Sequence, residues 1–269
     1  ADSKRALEGI GKLVRVGAIG LARQLYTDDL KRSLSRDLRA AEFDAAEINI
    51  RQNLEQWGSL WREQSRSDRR IPWRNKFAQL DPDDMRAAYP PAYFYLARAA
   101  GRPYGVSAWW LMAHMLQESR YKERARSHAR ALGLMQILPR TGRRIAERMG
   151  FPKTFWDDHL FEPGVALAQA AWYLDALRRE YGGNVILAMA AYNGGPMRVS
   201  EHISLVGSVP FDMMIEEMGA HETRNYARKV TDHLIRYLDL YADDQERDLG
   251  IRQLLPPTRL PVPKSEINF

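Results

Sequence analysis

Glu118 stands where a carboxyl group can carry a proton. Between Ser107 and Lys122 the apolar residues recur at helical spacing, and steps of four and three place Leu111, Met115 and Glu118 on one face. A carboxylate therefore continues a greasy stripe. If that face is buried, desolvation disfavours the ionised form and raises the pKa, as a general acid near neutral pH requires. The rival reading is a glutamate one turn from a helix end that simply reaches water. Further along, Gln136 in Gly133-Leu134-Met135-Gln136 offers both donors and an acceptor beside an Arg-rich loop, or else caps the helix that Pro139 starts. Met135 reads as core or as pocket wall. Tyr192 and Asn193 follow the apolar run Val185-Ile186-Leu187-Ala188-Met189 and precede two glycines, so they fall where a helix stops. The histidines at 114, 128, 159, 202, 221 and 233 contain no His-x-x-x-His pair and have no cysteine companions, so neither a catalytic metal nor a cofactor is expected.

The elements that must hold these residues read as all-α. Residues 1–80 repeat Leu, Ala and Ile at helical spacing with Arg and Glu on the other faces, the pattern of a helical, repeat-like module. Leu80-Asp81-Pro82-Asp83-Asp84 and Tyr89-Pro90-Pro91 mark a boundary. A second module is expected at 81–241, with helices near 90–100, 106–122, 139–149, 162–181, 184–193 and 222–241. Residues 242–269, with Pro256, Pro257, Pro261 and Pro263, are expected to be an extended tail. The chain has no cysteine, a net charge of +6 and no apolar run of membrane-spanning length. Its basic excess suits an acidic partner. The N-terminus lacks the apolar segment of a secretory signal.

Gln117-Glu118-Ser119, then Gly133-Leu134-Met135-Gln136-Ile137-Leu138-Pro139, then Ala190-Ala191-Tyr192-Asn193-Gly194-Gly195-Pro196 closely resemble, in order and spacing, the catalytic domain of soluble lytic transglycosylases. The segment from Ile215 to Tyr226 is similar to the family stretch in which an acidic residue precedes a Glu-Thr-Arg-x-Tyr helix start. The resemblance spans about 105–241, and the N-terminal helices are similar in pattern to the superhelical region of the larger soluble members. It implies an α-helical lysozyme-like domain in which Glu118 is the sole acid/base. The substrate implied is peptidoglycan, cut between N-acetylmuramic acid and N-acetylglucosamine, with the muramyl 2-acetamido group supporting the cation and a 1,6-anhydromuramyl end as product. Ser119, Ser127, Met135, Gln136, Tyr192, Asn193 and Glu216 become candidate substrate-binding residues, with Glu217 the neighbouring register and Tyr192 a phenol able to bond Glu118 or the acetamido carbonyl.

One departure stands out, since Arg130-Ala131-Leu132 replaces the family's usual glycine before Gly-Leu-Met-Gln. If the turn needs positive φ, an arginine there is strained. Arg124, Arg126, Arg130, Arg140, Arg143 and Arg144 suit acidic stem peptides on the glycan, and no helix-turn-helix or zinc pattern accompanies them to suggest nucleic acid. The expected location is the periplasm or cell envelope, with a signal sequence removed. A goose-type lysozyme-like hydrolase and a non-catalytic peptidoglycan-binding scaffold are the alternatives.

Overall fold

The computed structural model describes residues 26, 27, 30, 32, 85, 86, 88–207, 209–218, 221–255 and 267. The chain divides into two compact units, Ala1–Ala92 and Tyr93–Phe269. The helices expected at 1–80 lie almost wholly outside the described residues. In the first unit Met85, Arg86 and Ala88 are helical, and the Tyr89 amide donates to the Met85 carbonyl at 2.9 Å.

The second unit is all-α, with no strand among its described residues and only isolated bridges from Leu132 to Arg126 and to Ile137. Helix α1 spans Phe94–Gly101 and α2 spans Ala108–Ser119. After the loop that carries Gly133-Leu134-Met135-Gln136 come α3, Pro139–Met149, and a short 3₁₀ turn, Asp157–Phe161. Helices α4, Pro163–Glu180, and α5, Val185–Gly194, follow, then α6, Pro196–Val206, and α7, Phe211–Glu216. The long α8, His221–Tyr241, precedes α9, Asp244–Leu254. Local chemistry sets these limits. Pro139, Pro163 and Pro196 each open a helix at the position where a missing N–H costs nothing. Ser107 caps α2 by accepting from the Trp110 amide at 3.1 Å, and Arg120 closes it in the left-handed conformation, φ 51°.

Helix α2 is the centre of the unit. Every residue from Ala108 to Leu116 is buried, because α1 and α8 pack against it. Leu111, Met112 and Met115 are fully covered, each burial contributing about 1.5–3 kcal/mol. Trp109 anchors one side, its ring 4.6 Å from that of Phe94 and 5.8 Å from that of Tyr241. Helix α5 packs on α8 and α4, and at its end Gly194 lies so close to Thr223 that a Cβ would come within 2.6 Å of Thr223 Oγ1.

The expectation of an extended tail from 242 fails over its first half. Asp244–Leu254 is helical because Asp243 caps it, accepting from the Glu246 amide at 2.8 Å, and Asp244 and Glu246 place negative charge in its first turn. Gly250 lets the helix lie against Leu238, where a Cβ would meet Cδ1 at 2.6 Å. Pro256 begins only after this helix has ended, and residues 256–266 lie outside the described set.

Candidate active site

Burial all around α2, rather than along one stripe, decides the state of Glu118. Desolvation raises its carboxyl from 4.5 to about 7, against the opposing pull of a hydrogen bond from Tyr226. The Tyr226 hydroxyl on α8 donates to Glu118 Oε1 at 2.5 Å. One turn before Glu118 on α2, the fully buried His114 places Nδ1 2.8 Å from the same hydroxyl. Burial, reinforced by His233, lowers His114 to about 3, so its ring is neutral. Burial and the nearby Glu118 carboxyl also push the Tyr192 and Tyr226 phenols well above their ordinary range, which keeps both protonated as donors.

Tyr192, in the last turn of α5, does not bond Glu118. Its hydroxyl donates to the Met135 carbonyl at 2.8 Å, while its ring lies 4.8 Å from that of His114 and 5.6 Å from that of Tyr173. The phenol expected on the acid is therefore Tyr226, with Tyr192 behind it in electrostatic reach of Glu118. This arrangement ties α5 to the Gly133–Gln136 loop. Met135 is completely buried, a core side chain whose carbonyl receives Tyr192. Gln136, at φ 46°, turns its amide inward to donate to the Gly133 carbonyl at 2.8 Å and the Ala125 carbonyl at 3.3 Å. Gly133 has no substitute, because at φ +75° a Cβ would sit 1.7 Å from the Leu160 carbonyl oxygen.

The loop before it takes the conformation that the sequence made suspect. Arg130 has φ 65°, where an L-residue pays roughly 1–2 kcal/mol. Ser127 holds the turn by accepting from the Ala131 amide at 2.9 Å on its hydroxyl and from the Arg130 amide at 3.0 Å on its carbonyl. Ser119 is buried and donates back to the Met115 carbonyl at 3.3 Å. Asn193 is exposed and accepts from Thr223 at 3.3 Å, joining α5 to α8. Glu216, at the end of α7, is exposed and pairs with Arg228, while Arg224 donates to its carbonyl. Its carboxylate is thus committed to α8. Arg124 and Arg126 lie over the Phe161 ring at 5.7 and 4.6 Å, and Arg143 pairs with Asp157 at 3.6 Å.

The sequence reading passed over two of the groups nearest the acid. Tyr226 belongs to the buried row Thr223, Tyr226, Val230, Leu234 and Tyr237 of α8, so a polar head on that row was the available signal. His114 sits four residues before Glu118, on the same face of α2.

These features define a class, an α-helical lysozyme-like domain built around one part-buried carboxylic acid flanked by two phenols. Residues 95–215 match the family described as the transglycosylase SLT domain. The unit that holds Glu118 thus carries the match to the transglycosylase SLT domain. A soluble lytic murein transglycosylase of Salmonella typhimurium is 31% identical over 149 residues, 55% of this chain and 23% of the relative. The chain thus spans about a quarter of the length of the curated relatives it matches first. Among solved structures, the 70 kDa soluble lytic transglycosylase of Escherichia coli superposes with a TM-score of 0.64 at 20% identity, covering 96% of this chain and 38% of the other. A Glu→Gln variant of Pseudomonas aeruginosa lytic transglycosylase Slt, described as inactive, gives a TM-score of 0.60 at 24% identity, covering 91% and 39%. At those identities the structures speak for the fold. Among the described residues, no helix is long and apolar enough to cross a membrane and no acidic or histidine cluster could hold a metal ion.

Proposed function

We propose that this chain is a lytic transglycosylase that cleaves the β-1,4 bond between N-acetylmuramic acid and N-acetylglucosamine of peptidoglycan, with Glu118 as its only acid and base. The observation that carries this reading is a carboxyl poised at about 7 with one oxygen held by Tyr226. Near neutral pH such a group is present in both forms, so it can donate in one half of a reaction and accept in the other. In the first half Glu118 gives its proton to the glycosidic oxygen as the bond to the muramyl C1 breaks, while the muramyl 2-acetamido oxygen supports the cation. In the second, the Glu118 carboxylate takes the proton of the C6 hydroxyl, whose oxygen bonds to C1. The ring closes as a 1,6-anhydromuramyl end, the acid is restored and no water is consumed. Neutral phenols around Glu118 fit a substrate-assisted path, in which the acetamido group takes the place of the second carboxylate used by most glycosidases.

The inactive Glu→Gln variant of the Pseudomonas aeruginosa structure supports the same dependence on a glutamic acid. Ser127, Gln136 and Tyr192 act by shaping the loop and helix end beside the acid, while Asn193 braces α5 against α8 and the exposed Glu216 would reach substrate only by leaving Arg228. The exposed Arg124 and Arg126 would meet stem-peptide carboxylates. The polymer places the reaction in the periplasm or cell envelope. Mass spectrometry of fragments released from purified sacculi tests the reading. Anhydro ends one water lighter than reducing ends are expected; reducing ends would mean a hydrolase of the goose-lysozyme kind, and no release would mean a binding scaffold.

A further inference from the structure

We propose that His114 is a positioning residue that fixes the direction of the hydrogen-bond chain ending on Glu118, and so assigns the transferable proton to the Glu118 oxygen facing away from Tyr226. The catalytic meaning of this assignment rests on the function proposed above; the direction of the chain does not.

The chain runs His114 Nδ1, Tyr226 Oη, Glu118 Oε1, with separations of 2.8 and 2.5 Å. Tyr226 has one hydroxyl proton, so it can donate to Glu118 or to His114, not to both. The neutral imidazole likewise carries one N–H, on Nδ1 or on Nε2. Nε2 is buried and has no hydrogen-bond partner among the described residues. In the reverse direction Glu118 would donate to Tyr226 and Tyr226 to Nδ1, which puts the imidazole proton on Nε2 and leaves a buried N–H unpaired. That arrangement also fails whenever Glu118 is ionised, because a carboxylate has no proton to give. In the forward direction His114 Nδ1–H donates to Tyr226 and Tyr226 donates to Oε1, and only a lone pair is left bare on Nε2. The same direction serves both states of Glu118. Oε1 accepts throughout, so the proton that leaves and returns belongs to Oε2.

The other groups around the pair leave this logic intact. Tyr192, facing His114 from α5, spends its hydroxyl proton on the Met135 carbonyl. Tyr173 of α4 stands beyond it against the Tyr192 ring. His233, from α8, favours the neutral form of His114 and is itself lowered to about 4 by burial and Lys229. Trp110, on the same helix as His114, contributes a ring 6.0 Å away.

Long-range ¹H–¹⁵N NMR of histidine-labelled protein between pH 5 and 8 reads the tautomer directly. The expected result is a neutral ring protonated on Nδ1 with bare Nε2; an Nε2–H tautomer or an imidazolium overturns the proposal. Carbon-13 titration of the Glu118 carboxyl gives the second readout. In His114→Leu, Tyr226 is free to accept from Glu118, and the titration should move up by roughly half to one pH unit, the worth of one hydrogen bond changing hands. His114→Asn, which returns an N–H near the place of Nδ1, should bring it back toward the wild-type value. In a Tyr226→Phe background His114→Leu should add no further shift. No shift in His114→Leu, or one that persists without the Tyr226 hydroxyl, overturns the proposal. If His114→Leu does not fold, the wild-type tautomer and His114→Asn still decide. None of these readouts needs turnover, so the expected pattern in a protein that releases no anhydro ends would sink the function alone.

Discussion

Glu118→Gln should stabilise the fold in a pH-dependent way while removing turnover. The folded carboxyl titrates at about 7 against 4.5 when solvated. Below pH 4.5 both the folded and unfolded chains carry it protonated, and it has no effect on the pH dependence. Between the two values the unfolded chain releases the proton and the folded chain keeps it, so stability falls as pH rises. Above 7 the folded chain must hold a desolvated carboxylate. At 1.36 kcal/mol per pH unit the full penalty is about 3 kcal/mol. Glutamine never ionises and still accepts the Tyr226 hydroxyl. Urea unfolding of both proteins at half-unit steps from pH 4 to 8 should give a stability difference that grows in favour of the variant and levels off above 7. Anhydromuramyl release by the same preparation should drop by at least about 10²–10⁴, the usual worth of an acid–base group. A difference flat across the range would mean that Glu118 is solvated, and a folded variant keeping a tenth of the activity would exclude it as the acid.

Acid should destabilise the protein from the other direction. His114 and His233 titrate at about 3 and about 4 when folded against 6.5 in solution, so the unfolded chain binds their protons first as pH falls through 6.5. Measured in Glu118→Gln, where the opposing carboxyl is gone, the urea midpoint should fall between pH 6.5 and 4.5, and His233→Gln should flatten that fall; a midpoint constant over this range would refute it. Tyr192→Phe leaves the acid in place but strands the Met135 carbonyl, which predicts a loss of about 1–3 kcal/mol in stability and a smaller loss of rate than Glu118→Gln causes; equal rate losses would make Tyr192 a participant in the chemistry. Arg124→Glu with Arg126→Glu should weaken sacculus binding more at low salt than at high, since screening shortens to about 10 Å at 0.1 M; binding indifferent to both salt and charge would remove these arginines from the substrate path.

The helices were legible wherever a breaker and an apolar period agreed. Pro139 and Gly150 bracket α3 in the sequence as they do in the structure, and Asn184 caps α5 where the apolar run begins. Helix α9 was missed because the nearby prolines outweighed Asp243, although a capping aspartate followed by Asp244 and Glu246 is itself a start signal. At the site, a raised Glu118 could be argued from its spacing, because burial alone produces it. Which phenol reaches the acid could not, since that depends on how α8 crosses α2, and no local period encodes the rotation of one helix about another. The inward-facing amide of Gln136 was hidden for a similar reason. It follows from a backbone at φ 46° that Gln-Ile-Leu-Pro does not announce.

The choice of phenols, rather than cations, as neighbours explains why the acid stays useful. Burial by itself lifts Glu118, and each donor on the carboxylate pulls it back. An arginine within about 4–6 Å would lower it by roughly 1–3 units, which would leave an ionised residue unable to protonate a leaving oxygen at pH 7. Tyr226 lowers it by less, because a neutral hydroxyl stabilises the carboxylate without a net charge. Four arginines of this unit have other partners. Arg124 and Arg126 lie over Phe161, Arg143 pairs with Asp157, and Arg228 pairs with Glu216. The same economy applies to His114, whose burial keeps it a neutral donor. A positive imidazolium there would strengthen Tyr226 as a donor and drag Glu118 toward ionisation. Burying the histidine one helical turn from the glutamate therefore protects the acid by withholding charge from the hydroxyl that links them.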